Sequence, residues 1–356
     1  MTAATLQRGL GYSARAIALA GVLFALVWVL FAARKTNFGP AIDDPTSFSI
    51  TLLNGITFAG LLFIVASGFS LIFGLMRVVN MAHGSFFLVG GYIAYEIQQD
   101  MTGTGQGFLI PTFDVNTWEW IAPALIAAAC IALGGLLLQQ LFLRWNQGQD
   151  LRQALITIAV ALIAADQVIA HFEGGNPVSV TWPGWTDKLV DLHVFDVHYS
   201  LQRLLMLALG VAVGALLWLW LYRTRTGMVI RAGVDDREMT SALGVNIQRT
   251  FALAFVVGAA LAAFGGTVGA SQGAVASGQD GQWLLNSLVV VIIGGMGSLL
   301  GAVAGSLLYG LVFSFSAVYL PTTSDNCCTQ YSIVVTFVLL ALVLAFRPLG
   351  LFGKAA

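Results

Sequence analysis

The sequence predicts an all-α integral membrane protein with about ten membrane segments, some short or broken, and both termini cytoplasmic. Three observations carry that expectation. Hydrophobic residues fill 58% of the 356 positions and charged residues 9%, against about 25% charged in an ordinary soluble domain. Mean hydropathy is +0.85. The apolar runs are long, show no heptads and come with 40 glycines, as suits membrane helices that pack closely.

A helix needs about 20 residues to cross roughly 30 Å of hydrocarbon. Apolar runs fall at 14–33, 48–75, 84–99, 119–143, 153–171, 201–222, 248–270, 284–296, 300–319 and 330–346. The third and eighth are short. Little more than Gly-Met-Gly-Ser separates the eighth from the ninth, as a tight hairpin or a broken pair. The first run follows Arg8 and Arg15 and outlasts a signal peptide's apolar core of about 7–15 residues, so it is read as a retained helix. The whole of 1–356 forms one polytopic domain, with an inner loop at 223–249 and a long outer loop at 172–200.

Cytoplasmic loops collect Lys and Arg. With both termini inside, the inner segments hold twelve such residues and the outer ones four: Arg34, Lys35, Lys188 and Arg203. The outer loops are acidic instead. Trp118, Trp120, Trp145, Trp218, Trp220 and Trp283 fall at predicted segment ends, where amphipathic rings settle.

The inner loop is the polar exception. Arg231, Asp235, Asp236, Arg237 and Glu238 stand in one short stretch that reads as an amphipathic helix. Met228, Ala232, Met239, Ala242 and Leu243 share one face. Gly233, Asp236, Arg237, Thr240 and Ser241 lie towards the other. Asp235 intrudes on the apolar face, with Arg231 one turn earlier to pair with it. Gly244 suits a helix stop. This helix is too short and polar to span, and its shape suits a surface gripped by another protein.

Spacings of small residues mark helix contacts at Gly210/Gly214, Gly265/Gly269, Gly297/Gly301 and Gly301/Gly305. The polar stretch 271–283 is either a plain loop or a segment dipping into an outward cavity. In the outer loop, Asp191-Leu-His193 and Asp196-Val-His198 fit a polar strand better than a zinc site. Cys130 is read as a buried small residue, and the adjacent Cys327 and Cys328 as free thiols. No metal-ligand spacing, cofactor motif or nucleic-acid-binding basic tail is present. Nor do paired acids, HExxH or a Ser/His constellation point to an enzyme.

Three stretches resemble the membrane permeases of branched-chain amino acid ABC importers. The first runs from Asn54-Gly-Ile-Thr through Gly68-Phe-Ser-Leu-Ile-Phe-Gly-Leu-Met-Arg-Val-Val-Asn80-Met-Ala-His-Gly to Tyr92. The second is Thr226-Gly, Arg231-Ala, Asp236-Arg-Glu and Ala242-Leu-Gly-Val245. The third is Ile292-Ile-Gly-Gly-Met-Gly-Ser-Leu-Leu-Gly-Ala-Val-Ala-Gly305, with Arg347-Pro-Leu-Gly closing the chain. The resemblance covers most of 50–353. Departures are the first helix with its outer loop, the loop near 101–118 and the insertion 322–330. All face outside, so they bear on the solute: a branched-chain amino acid, urea, a short amide or an aromatic acid.

The resemblance implies a non-catalytic transport subunit in the bacterial inner membrane. Its partners would be two cytoplasmic ABC ATPases, a second permease (a sister protein or a copy of itself), and a periplasmic solute-binding protein. On this reading Arg231, Ala232, Asp235, Asp236, Arg237, Glu238, Met239, Ala242, Leu243 and Gly244 couple to the ATPase. A secondary transporter needs a coupling-ion site, usually intramembrane acids. Here Asp166 is the only acid well inside an apolar run, with Glu96 near an outer end. Asp166 either lines the solute pathway or is satisfied by neighbours. Asn80 and His83, near the inner ends of their segments, either meet the solute or cap a helix break relieved by Gly84.

Overall fold

The computed structural model describes residues 45–76, 79–103, 115–146, 148–172, 174–192, 197–319 and 330–353. The expected first helix at 14–33, Cys327 and Cys328 lie outside them. Eleven helices and one hairpin are seen among the described residues: α1 (Pro45–Met76), α2 (His83–Thr102), α3 (Thr117–Leu138), α4 (Asp150–His171), β1 (Leu189–Leu192), β2 (Val197–Ser200), α5 (Leu201–Arg223), α6 (Arg225–Asp235), α7 (Arg237–Ala242), α8 (Ile247–Gln272), α9 (Gln279–Gly294), α10 (Leu299–Tyr319) and α11 (Gln330–Phe346). A π turn, Gln139–Leu143, and a 3₁₀ turn, Arg144–Asn146, prolong α3.

Six helices among the described residues are long and apolar enough to cross a membrane: α1, α3 with its extension, α4, α5, α8 and α10. Of the other expected segments, 84–99 and 284–296 correspond to α2 and α9, and 330–346 to the shorter apolar α11. Residues 279–283, expected in a loop, already belong to α9. The segment before it pairs with the outer loop through a single bridge, Val275 to Val178. The hairpin β1–β2 pairs Asp191 with His198, whose side chains approach to 3.6 Å at the surface.

The long helix α1 lies at the centre and packs on α5, α8, α9 and α10. Four of its glycines each receive another backbone. A Cβ on Gly55 would stand 3.2 Å from the Gly310 carbonyl oxygen, on Gly60 3.4 Å from Leu207 Cα, on Gly68 2.6 Å from the Gly258 oxygen, and on Gly74 2.8 Å from Gly297 Cα. Helices in hydrocarbon gain nothing from the hydrophobic effect between them, so such close approach supplies the dispersion contact that joins them.

The α9–α10 pair is a tight hairpin. Gly295 and Gly297 turn at φ 105° and 75°, a region that favours glycine. Gly301 and Gly305 then lie directly on the carbonyls of Gly294 and Val290. Gly265 and Gly269 receive Val65 and Phe87. One expectation is corrected: Cys130 is exposed on α3 among the described residues rather than buried. Of the tryptophans at segment ends, Trp120 is buried and stacks on Trp182 at 4.8 Å, and Trp283 is half-buried and stacks on Phe87 at 4.1 Å.

Replacing Gly301 by Leu drives a branched side chain into the Gly294 carbonyl. We expect a several-fold lower yield of monodisperse protein in detergent before any change in solute preference. Size-exclusion chromatography checks this, and a normal yield would mean that this face looks at lipid.

Candidate functional site

The polar loop at 223–249 folds as two helices, not one. Thr224 starts α6, its hydroxyl accepting from Gly227 N at 3.1 Å. Asp236 is extended, at φ −147° and ψ 107°, and its carboxylate accepts from Met239 N at 2.9 Å, capping α7. An aspartate that caps the second helix ends the first, so a continuous wheel over 231–245 does not apply. Gly244 closes α7 at φ 84°, as the sequence suggests.

The break changes which face is buried. Ile230 packs with Leu75, Leu221, Ile247 and Phe251, and Gly233 sits under Leu75. Gly233 and Thr240, expected on the charged face, are therefore turned into the bundle. The Thr240 hydroxyl donates to the Asp236 carbonyl at 2.6 Å. Met228, Met239 and Leu243 are 61%, 59% and 78% exposed, and Ala232 and Ala242 are exposed too. Asp235 and Glu238 stand beside them, exposed. Arg231 does not pair with Asp235. Its Nε donates to the Leu221 carbonyl at 3.1 Å, and its guanidinium lies 4.4 Å over the Tyr222 ring, a cation–π contact. It staples α6 to α5.

Asn80 and His83 sit where α1 hands over to α2. His83 Nε2 lies 3.0 Å from the Val65 carbonyl, fully buried, with its ring edge-on to Phe69. Val65 is about 16 Å along α1 from Met76 at 1.5 Å per residue. So the chain climbs back beside α1 before α2 begins, and His83 lies part-way along α1 rather than at its inner end. Asn80 forms the turn, its Oδ1 accepting from Ala82 N at 3.1 Å and its carbonyl from His83 N at 3.2 Å. Gly84 is crowded by the carbonyl of Asp280, and Ser85 Oγ donates to the Asp280 carboxylate at 3.4 Å. The starts of α2 and α9 thus meet beside the Phe87–Trp283 stack.

Asp166 lies elsewhere. It is exposed on α4, whose most apolar window is only 11% buried. No hydrogen bond or ion pair joins it to another described residue. Polar contacts tie both ends of α4 to α2 and the turn before it: Met81 N donates to Thr157 Oγ1 at 3.2 Å, and His171 Nε2 meets Glu96 Oε1 at 3.3 Å, while Ile156, Val160 and Val168 pack on the bundle. Asp166, the Asn80–His83 turn and the α6–α7 surface are therefore three separate places. Among the described residues no group of His, Cys, Asp and Glu is arranged to hold a metal.

Sequence reasoning missed Ser85, Asp280, Thr157 and the glycines of α1. Polar residues in the apolar run of α1–α2 and at the start of α9 were the available signal. It says that a partner is needed but not which one.

A family model described as branched-chain amino acid transport system / permease component matches residues 51–344. The chain belongs to this family. It is 28% identical over 307 residues to the high-affinity branched-chain amino acid transport system permease protein BraD of Pseudomonas aeruginosa, covering 85% of this chain and 95% of the relative. It is likewise 28% identical over 309 residues to LivH of Escherichia coli, covering 85% and 94%. Among solved structures, PsaBC from Streptococcus pneumoniae in complex with Fab aligns at TM-score 0.42 and 12% identity, over 82% of this chain and 90% of that one. The α6–α7 surface, the α1–α2 turn and α4 all fall inside the span that matches the permease family. This permease is a multi-pass membrane protein.

Proposed function

We propose that this permease is the membrane subunit of a binding-protein-dependent ABC importer. It moves a branched-chain amino acid, or a similar small solute such as urea, a short amide or an aromatic acid, inward across the bacterial inner membrane. Two cytoplasmic ATPases hydrolyse the ATP, a second permease completes the pathway, and a periplasmic binding protein delivers the solute. The chain itself needs no cofactor. Both termini and the α6–α7 surface lie in the cytoplasm, a reading that rests on the twelve-to-four division of Lys and Arg.

One observation carries the proposal: Met228, Met239 and Leu243 stand exposed on short helices rimmed by Asp235, Asp236 and Glu238. Apolar anchors with a charged rim suit a groove in a partner protein. Buried apolar anchors dominate such an interface, while rim charges set register and partner choice. The polar face mixes acids with arginines and holds no Lys, which counts against a helix resting on lipid headgroups. Arg231 transmits the partner's motion into α5 through Leu221 and Tyr222.

Asp166 gives the second permease its place. A carboxylate exposed on a membrane-spanning helix is costly against hydrocarbon. Its face of α4 therefore looks onto the solute pathway, completed by the second subunit. The Asn80–His83 turn supports the pathway wall.

In a cysteine-free background, a membrane-impermeant thiol reagent applied to sealed cells should label a cysteine at 185 and not one at 237. Labelling at 237 would reverse the topology. Met239→Asp with Leu243→Asp should leave the permease inserted, reduce copurifying ATPase more than tenfold and bring ATP-driven uptake to background. Normal copurification and uptake would remove the coupling role. Asp166→Asn should leave the complex assembled and weaken uptake by about tenfold, the scale of a lost charged hydrogen bond. Unchanged kinetics would take Asp166 out of the pathway.

A further inference from the structure

Between the α1–α2 turn and the start of α4 lies a small cavity with about 10 Å³ of space for a water-sized occupant. Asn80, Gln153 and Thr157 line it, and its other walls are apolar, among them Ile72, Leu143 and Phe255. Asn80 and Gln153 are 4% and 3% exposed. Each has one amide atom without a partner among the described residues: the donor Asn80 Nδ2 and the acceptor Gln153 Oε1.

Their amide orientations are fixed by their other bonds. Asn80 Oδ1 accepts from the Ala82 amide at 3.1 Å. Gln153 Nε2 donates to the Asn146 carbonyl at 2.7 Å. Flipping either amide would set two acceptors or two donors against each other. The cavity is thus lined by one orphan donor, one orphan acceptor and the Thr157 hydroxyl.

We propose that Asn80, Gln153 and Thr157 hold one internal water that ties α4 to the α1–α2 turn. Water both donates and accepts, so it can satisfy Nδ2 and Oε1 together. Buried polar pairs are commonly bridged in this way, and a cavity of this size holds about one water. A metal cation does not suit, because an amide N–H points into the site. An amino acid is far too large for it.

The water adds a second link beside the direct bond from Met81 N to Thr157 Oγ1. Both links join the same two elements. The helix they hold is scarcely buried, so polar ties at its ends decide how far it can swing. At the far end Val168 packs into the bundle, and the exposed pair His171–Glu96 adds a polar tie. The water site is therefore a joint that positions α4, and with it Asp166.

A density map of the full-length permease in lipid nanodiscs, at a resolution that shows waters, tests the site. A peak within hydrogen-bond distance of both Asn80 Nδ2 and Gln153 Oε1 is expected. A map with no such peak overturns the proposal. Gln153→Met keeps the length of the side chain and removes its amide. It should abolish the peak and make backbone hydrogen exchange over 150–160 at least fivefold faster. Unchanged exchange would mean that the water ties nothing. Should Gln153→Met fail to fold, Thr157→Val keeps the shape but removes both the hydroxyl and the direct bond from Met81 N, so loss of the water peak and a rise in exchange larger than fivefold are expected of it.

Discussion

Gly55, Gly60, Gly68 and Gly74 let four other backbones reach the surface of α1, and the arrangement of the bundle follows from those approaches. Hydrocarbon solvates an apolar side chain as well as a neighbouring helix does, so burial alone does not order the helices. Dispersion falls off within an ångström of contact, and only small residues bring enough atoms into range. Each glycine of α1 meets a different partner: α10, α5, α8 and the turn before α10. The Gly68–Gly258 crossing is backbone on backbone from both sides, since a Cβ on Gly258 would stand 2.7 Å from the Gly68 carbonyl. The central helix is thereby a template, and its neighbours are placed by where it lacks side chains.

With the packing set, the polar groups inside the bundle have few choices. One helix, α2, begins buried within it, and the first N–H groups of a helix have no partner in their own helix. Non-helical backbone at such depth persists only where protein or water satisfies it. Asn80 serves the start of α2, and Asp280 stands in the first turn of α9, bonded to Ser85. Tyr92 anchors the outer loop through the Gly175 and Asn176 carbonyls, and Gln98 does so through Thr181. These bonds join the outer loop to the same helix whose start is held by Val65 through His83. A displacement of α2 would be felt at both places.

The α6–α7 surface obeys a different constraint. Its exposed methionines and leucine are tolerated because their helices are held from behind, by Ile230 in its apolar cluster and by Arg231 on Leu221 and Tyr222. In a soluble monomer such exposed apolar groups would call for a partner. For a permease of this family the proposed partner is the ATPase. On their inner side Arg231 bonds these helices to α5, and Gly233 packs them on α1.

Much of this was legible in the sequence. Hydropathy located the spans because crossing hydrocarbon demands a length of apolar chain that no local accident supplies. Gly244 marked a helix stop because its left-handed φ is a local requirement. The apolar residues Met228, Met239 and Leu243 were recognisable by helical spacing, and they are exposed. The rest needed the tertiary structure. Whether Asp236 continues a helix or caps the next depends on how Ile230 and Gly233 dock against Leu75. That docking also turned Gly233 and Thr240 inward against the wheel's assignment. His83 lies beside Val65, Ser85 beside Asp280 and Asn80 beside Gln153, pairs separated by up to 195 residues in the chain. Periodicity reports which residues share a face, since that is set by bonds four residues apart. What the face meets is set by the approach of distant backbones, and only the folded bundle decides it.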